Sequence, residues 1–158
     1  MDDNVKAVLE KYSWEAYPSK HLKYFEIGAF DLETSLASDE VMHITDQKVS
    51  DADCTALGKA LTLMKPENMK NIYLSNNDIG DEGVVALADA CSTHDALPRL
   101  KKLWLQRNSI GDAGLTALAK ACNDGALAEC LYIGLDDNRG SWRANRAVSD
   151  ALKNRAVG

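Results

Sequence analysis

The chain repeats itself. Residues 69–91, MKNIYLSNNDIGDEGVVALADAC, align without gaps on residues 100–122, LKKLWLQRNSIGDAGLTALAKAC, with 12 of 23 positions identical at an offset of 31. A fainter copy lies upstream, where Met42, Ile44, Val49, Leu57 and Leu61 match Ile72, Leu74, Ile79, Leu87 and Cys91 at an offset of 30. Another lies downstream, where Ile133, Leu135, Asn138, Val148 and Ala151 match Leu103, Leu105, Asn108, Leu118 and Ala121. A unit of about thirty residues cannot bury its own apolar face, so successive units must stack.

Each copy joins two periodicities. Ile72 and Leu74, Leu103 and Leu105, and Ile133 and Leu135 alternate with polar or aromatic neighbours, which predicts short strands with one buried face. Val84, Leu87, Ala88 and Cys91, then Leu115, Leu118, Ala119 and Cys122, recur at helical spacing. Between strand and helix, Asn-x-Ile-Gly-Asp supplies a turn and a helix start. Asp81 and Asp112 are expected to cap the helices they begin.

The run Leu100, Leu103, Leu105 and Asn108, with Ile-Gly-Asp-x-Gly and Ala-Leu-Ala after it, resembles the leucine-rich repeat family, in its ribonuclease-inhibitor-like class. The likeness is strong over 69–122 and extends more loosely over 39–152. It implies an α/β fold: a short right-handed solenoid with a parallel sheet on the concave face and helices on the convex face. It also implies a ladder of side chains, Asn77, Asn108 and Asn138, tying units together, with Gln47 at the matching upstream position. Two copies depart from the pattern. The first has Ser50 and Asp53 for Gly80 and Gly83, and the last has Gly140-Ser141-Trp142 for Ile-Gly-Asp. Both read as terminal units. The expected organisation is an N-terminal cap over 1–38 and a repeat domain of four units, 39–68, 69–99, 100–129 and 130–158.

The expected cap is helical and aromatic. Val5, Val8, Leu9 and Tyr12 make one helical face that Pro18 ends, and six of the ten aromatic residues precede residue 39. Such a segment suits the open end of a solenoid, or a docking patch. Charge is uneven. Residues 1–98 hold 8 Lys+Arg and 18 Asp+Glu, net −10, whereas 99–158 hold 10 and 6, net +4. The overall −6 argues against general nucleic-acid affinity. No apolar run approaches the ~20 residues of a membrane span, and Met-Asp-Asp-Asn lacks the layout of a secretion signal, so a cytoplasmic protein is expected.

Catalytic motifs fail one by one. His21, His43 and His94 have no second His at i+3 or i+4, and neither a phosphate loop nor a nucleophile elbow occurs. Asp51, Asp53 and Thr55 start like a calcium loop, but Ala56 stands where the turn needs Gly. Cys54, Cys91, Cys122 and Cys130 form no Cys-x-x-Cys pair and are expected to be buried thiols. No enzyme activity, cofactor or metal is expected.

Function then falls to the surface. If Ile72 and Leu74 point inward, Tyr73 points out, as do His43, Trp104 and Gln106, then Tyr132 and Asp136. His43, Tyr73 and Trp104 fall at one level of adjacent strands. Exposed aromatic rows suit an interface, and the resemblance points to the same face. His43, Tyr73, Trp104, Gln106, Arg107, Tyr132 and Asp136 are therefore the expected contacts of a protein partner, on a chain that is monomeric or weakly self-associating. Similar repeats also occur in small-GTPase activators and actin-filament capping proteins, which gives a regulatory alternative. A third reading is an architectural subunit that stacks end to end.

Overall fold

The computed structural model describes residues 41–157. The expected cap over 1–38 lies outside them. Four strands and four helices alternate: β1 Val41–His43, α1 Asp51–Met64, β2 Asn71–Tyr73, α2 Asp81–His94, β3 Lys102–Trp104, α3 Asp112–Asn123, β4 Tyr132–Gly134 and α4 Trp142–Val157. The strands form one parallel sheet in chain order, and each helix packs on the next along the chain. This is a short α/β solenoid of leucine-rich repeat architecture.

Alternation sets the register. Met42, Ile72, Leu103 and Ile133 lie opposite one another and point into the core. There they meet Leu57, Leu87, Leu118 and Val148 from the helices. Alanines 60, 88, 90, 119 and 121 keep the helix surface low enough for close approach. The helices are rich in Ala and Leu, the better helix formers. α1 and α2 stop where Lys65 and Asp95 turn left-handed, at φ 42° and 48°.

Two kinds of side chain tie unit to unit. Asn77 Oδ1 accepts from the amides of Gln47 and Val49, both at 3.0 Å, while its Nδ2 donates to the carbonyls of Ile44 and Leu74 at 2.7 and 3.0 Å. Asn108 accepts from the Ile79 amide and donates to Leu74 and Leu105, and Asn138 accepts from Ile110 and donates to Leu105 and Leu135. Asn77 and Asn108 are only 7% and 8% exposed, so each bond satisfies groups that water does not reach. Gln47 Nε2 donates to the Thr45 carbonyl in its own loop, as Asn77 does to Ser75, and any upstream partner lies outside the described residues.

The second tie corrects the expected capping. Asp81 does not cap its own helix, whose N-cap Gly80 has no side-chain partner within the unit. Asp51 does so from the preceding unit, its Oδ1 accepting from the amides of Gly80 at 2.6 Å and Gly83 at 3.0 Å. Asp81 repeats this toward Gly111 and Gly114, both at 2.8 Å. The glycines follow from that contact, because a Cβ on Gly83 would stand 2.7 Å from Asp51 Oδ1. The terminal departures now have a cause. No described helix precedes α1 to supply such an aspartate, and Ser50 with Asp53 forms a capping box. At α4, Asp112 still holds the Ser141 amide at 2.6 Å, but the Ser141 hydroxyl accepts from the Ala144 amide and Trp142 takes the place of a forward-reaching Asp.

Candidate functional site

The register that buries Met42, Ile72 and Leu103 sends His43, Tyr73 and Trp104 to the other face of the sheet, directly opposite one another. Their rings form a continuous row. His43 and Tyr73 centroids are 5.1 Å apart, tilted by 32°, and Tyr73 and Trp104 stack at 5.4 Å and 4°. The fourth strand breaks the pattern with Gly134 opposite Trp104. Tyr132, two residues earlier, leans across instead, at 4.8 Å and 55° from Trp104. Offset and tilted pairs of this kind are worth about 0.5–1.5 kcal/mol each beyond their buried area.

Gln106 explains the glycine. Its side-chain amide occupies the space that a Cβ on Gly134 would need. From there Oε1 accepts from Ser75 Oγ at 3.0 Å, and Nε2 donates to the Tyr132 hydroxyl at 3.3 Å. Ser75, Gln106 and Tyr132 thus form a polar seam beside the rings. Trp104 Nε1 is buried with no hydrogen-bond acceptor among the described residues.

The remaining expected contacts lie elsewhere. Arg107 stands on the rim, in the row Asp46, Asn76, Arg107 and Asp137, where each turn takes a left-handed residue (φ 61°, 60°, 56° and 60°). Asn76 donates to Asp46, and Arg107 pairs loosely with Asp137 at 3.6 Å, both side chains about 70% exposed. Aspartate and asparagine tolerate that backbone, whereas arginine is an uncommon choice there. Asp136 lines a groove at the end of the solenoid, beside β4 and α4. The structure therefore joins His43, Tyr73, Trp104, Tyr132 and Gln106 into one surface, with Arg107 on its rim and Asp136 at its end. Ser75 also belongs to that surface, as its shared parity with Asn71 and Tyr73 predicts.

Other chemistry is sparse. Among the described residues no His, Cys, Asp or Glu cluster is arranged to hold a metal ion. Among the same residues no helix is long and apolar enough to cross a membrane. All four cysteines are buried thiols, and burial pushes Cys54 and Cys91 up to about 12.

The family model for the Leucine Rich repeat matches residues 66–88 and 97–119, each spanning a strand, its turn and the start of a helix. Two of its units thus match the leucine-rich repeat. Among solved structures it is similar to the Leiomodin-1 Actin-Binding Site 2 (ABS2), at 14% identity and a TM-score of 0.56, over 89% of this chain and 92% of that one. At that identity the likeness is one of fold. No curated protein matches the sequence.

Proposed function

We propose that the chain is a non-catalytic protein-interaction module, and that its partner binds the concave face across His43, Tyr73, Trp104 and Tyr132. The observation that supports this most is the unbroken ring row, held on the outward face by a register that the core enforces. A rigid row of aromatic side chains loses little entropy on binding and presents large contact area. Four strands about 4.8 Å apart, each showing about three residues, offer only ~200 Å². A standard interface takes ~800 Å² per partner, so the rim, with Arg107, and the end groove, with Asp136, complete the contact.

A second reading has a specific observation behind it. The similar leiomodin structure is titled an actin-binding site, which makes actin the first candidate partner and filament capping the first candidate role. End-to-end stacking is less favoured, because Trp142 stands where Asp81 and Asp112 reach forward to the next unit. Sedimentation with filamentous actin, and elongation from filament ends, test the actin reading. Trp104→Ala should reduce any binding at least tenfold. Binding unchanged by Trp104→Ala and Tyr73→Ala would refute the concave site, and no effect on filaments would refute the actin role.

A further inference from the structure

Positive charge gathers on one unit of the strand face. Residues 99–111, from the approach to β3 to the turn before α3, hold Arg99, Lys101, Lys102 and Arg107 and no carboxylate. The matching stretches 38–50 and 129–141 each hold one cation against three carboxylates, and 68–80 holds one against one. The chain as a whole carries −6, so this concentration is local.

The fold sets these cations beside the ring row. Lys102 and Trp104 open and close β3 and share its outward parity, which puts them on one face about 7 Å apart. Lys102 is exposed, and its neighbours across the sheet are Asn71 and Tyr132, neither of them a carboxylate. The amides of Lys101 and Lys102 both donate to the Lys70 carbonyl, so Lys70 stands at the same level of the adjoining unit. Glu129 meets Lys101 at 2.8 Å, and Arg99 and Lys70 join Lys101 in holding its carboxyl below the usual carboxylate range.

That leaves a surplus. Lys101 is matched by Glu129, and Arg107 pairs loosely with Asp137. Asp95 and Asp124 close α2 and α3, where Asp124 is taken by Lys120 at 2.6 Å. Arg99 and Lys102, both exposed, have no ion pair among the described residues. Hydrated cations of this kind interact weakly until a partner covers Trp104 and thins the water around them, which strengthens any charge pair at the border. A carboxylate over Lys102 and an apolar side chain over Trp104 is the spacing of alternate residues in an extended chain. A nucleic acid or an anionic bilayer presents its charge over a wide area, which the overall −6 repels. A short acidic segment meets only the cations within a Debye length of ~8 Å.

We infer that the concave-face partner is acidic at this point: an extended segment lays carboxylates on Arg99 and Lys102 and its next apolar side chain on Trp104. This names the partner's chemistry and rests on the concave-face reading. The probe is a blocked heptapeptide with two glutamates and then two leucines at alternate positions, serines between; a second peptide has Lys for Glu. Binding is followed by NMR on the full chain at ~0.01 M and ~0.15 M salt. The acidic peptide should move the Lys102 amide and the Trp104 indole N–H together, bind at least fivefold tighter than the Lys peptide, and weaken as salt rises. Arg99→Glu/Lys102→Glu should abolish that preference at an unchanged melting temperature, and Trp104→Ala should weaken the acidic peptide at least fivefold. Equal binding of both peptides overturns the inference, as does a preference that survives the charge reversal; where Trp104→Ala still loses binding, the concave-face reading stands. Binding that needs the cations and not Trp104 overturns both. Phosphatidylserine vesicles that move the same signals more readily than the peptide reassign the patch to a membrane and also overturn it.

Discussion

The carboxylate of Asp81 lies 2.8 Å from the amide of Gly114, across the boundary between two units. An aspartate at the start of one helix therefore caps the start of the next. The glycine is the mark of that contact, since a Cβ on Gly114 would stand 2.8 Å from the same oxygen.

That pairing gives a coupled prediction. Asp81→Ala removes the acceptor for two amides and should cost about 1–2 kcal/mol, the usual worth of a helix cap. Gly114→Ala overfills the site and should cost about 1–3 kcal/mol. Because the carboxylate is part of the obstruction, Gly114→Ala should cost less in the Asp81→Ala background than alone. Urea unfolding of the four proteins measures the coupling, and strictly additive costs would contradict it.

Asn108 carries the same logic into the core. Its amide donates to Leu74 and Leu105 and its oxygen accepts from Ile79. Asn108→Ala should destabilise by about 2–4 kcal/mol, since several buried groups lose partners at once. Asn108→Asp should be no better at neutral pH, because a carboxylate cannot donate to the carbonyls. Denaturant midpoints of both variants check this, and a near-wild-type Asp variant would contradict it.

Much of this was legible in the sequence, and the failures share one cause. Strand and helix, their order and the inward set were set out by two periodicities, because burial acts at fixed spacing on residues such as Ile72, Leu74 and Leu87. The ring row followed from the same parity, with His43, Tyr73 and Trp104 one unit apart. Contacts between units were harder to see. Asp81 looks like a local cap, and only the glycines at 111 and 114 hint that it reaches forward. Gly134 gives no sign alone that Gln106 fills its space, and the lean of Tyr132 over Trp104 follows from that vacancy. Asp136 has the parity of a concave residue, yet with no further strand beside it among the described residues the side chain borders the end groove.

The thiols predict an alkaline limit. Burial raises Cys54 and Cys91 from 9.0 to about 12, with nearby carboxylates adding to Cys54 and neighbouring thiols to Cys91. Above pH 9 the unfolded chain releases protons that the folded chain retains, so stability is full below pH 9 and falls as pH rises toward 12. Each thiol contributes a slope of up to about 1.4 kcal/mol per pH unit in that window. Unfolding free energies between pH 8 and 10.5 should show this fall, and a Cys54→Ala/Cys91→Ala protein should show a shallower one. An equal slope in the two proteins would contradict the assignment.

Gln106 sets a finer prediction. Gln106→Ala removes the bonds to Ser75 and Tyr132 and frees the Tyr132 ring while leaving the core untouched. Stability should change by about 1 kcal/mol or less, the worth of hydrogen bonds in a partly exposed seam. Partner affinity should fall more than stability does. The Tyr132 ring signals in the NMR spectrum should lose the upfield displacement that Trp104 imposes; retention of that displacement would contradict the seam.

The most direct measurement is capture of partners from native lysate by the wild-type chain and by Trp104→Ala, side by side, with the melting temperature of each. The account predicts that Trp104→Ala stays folded and loses the proteins that the wild type retains. A folded Trp104→Ala chain that holds the same proteins in the same amounts would contradict it.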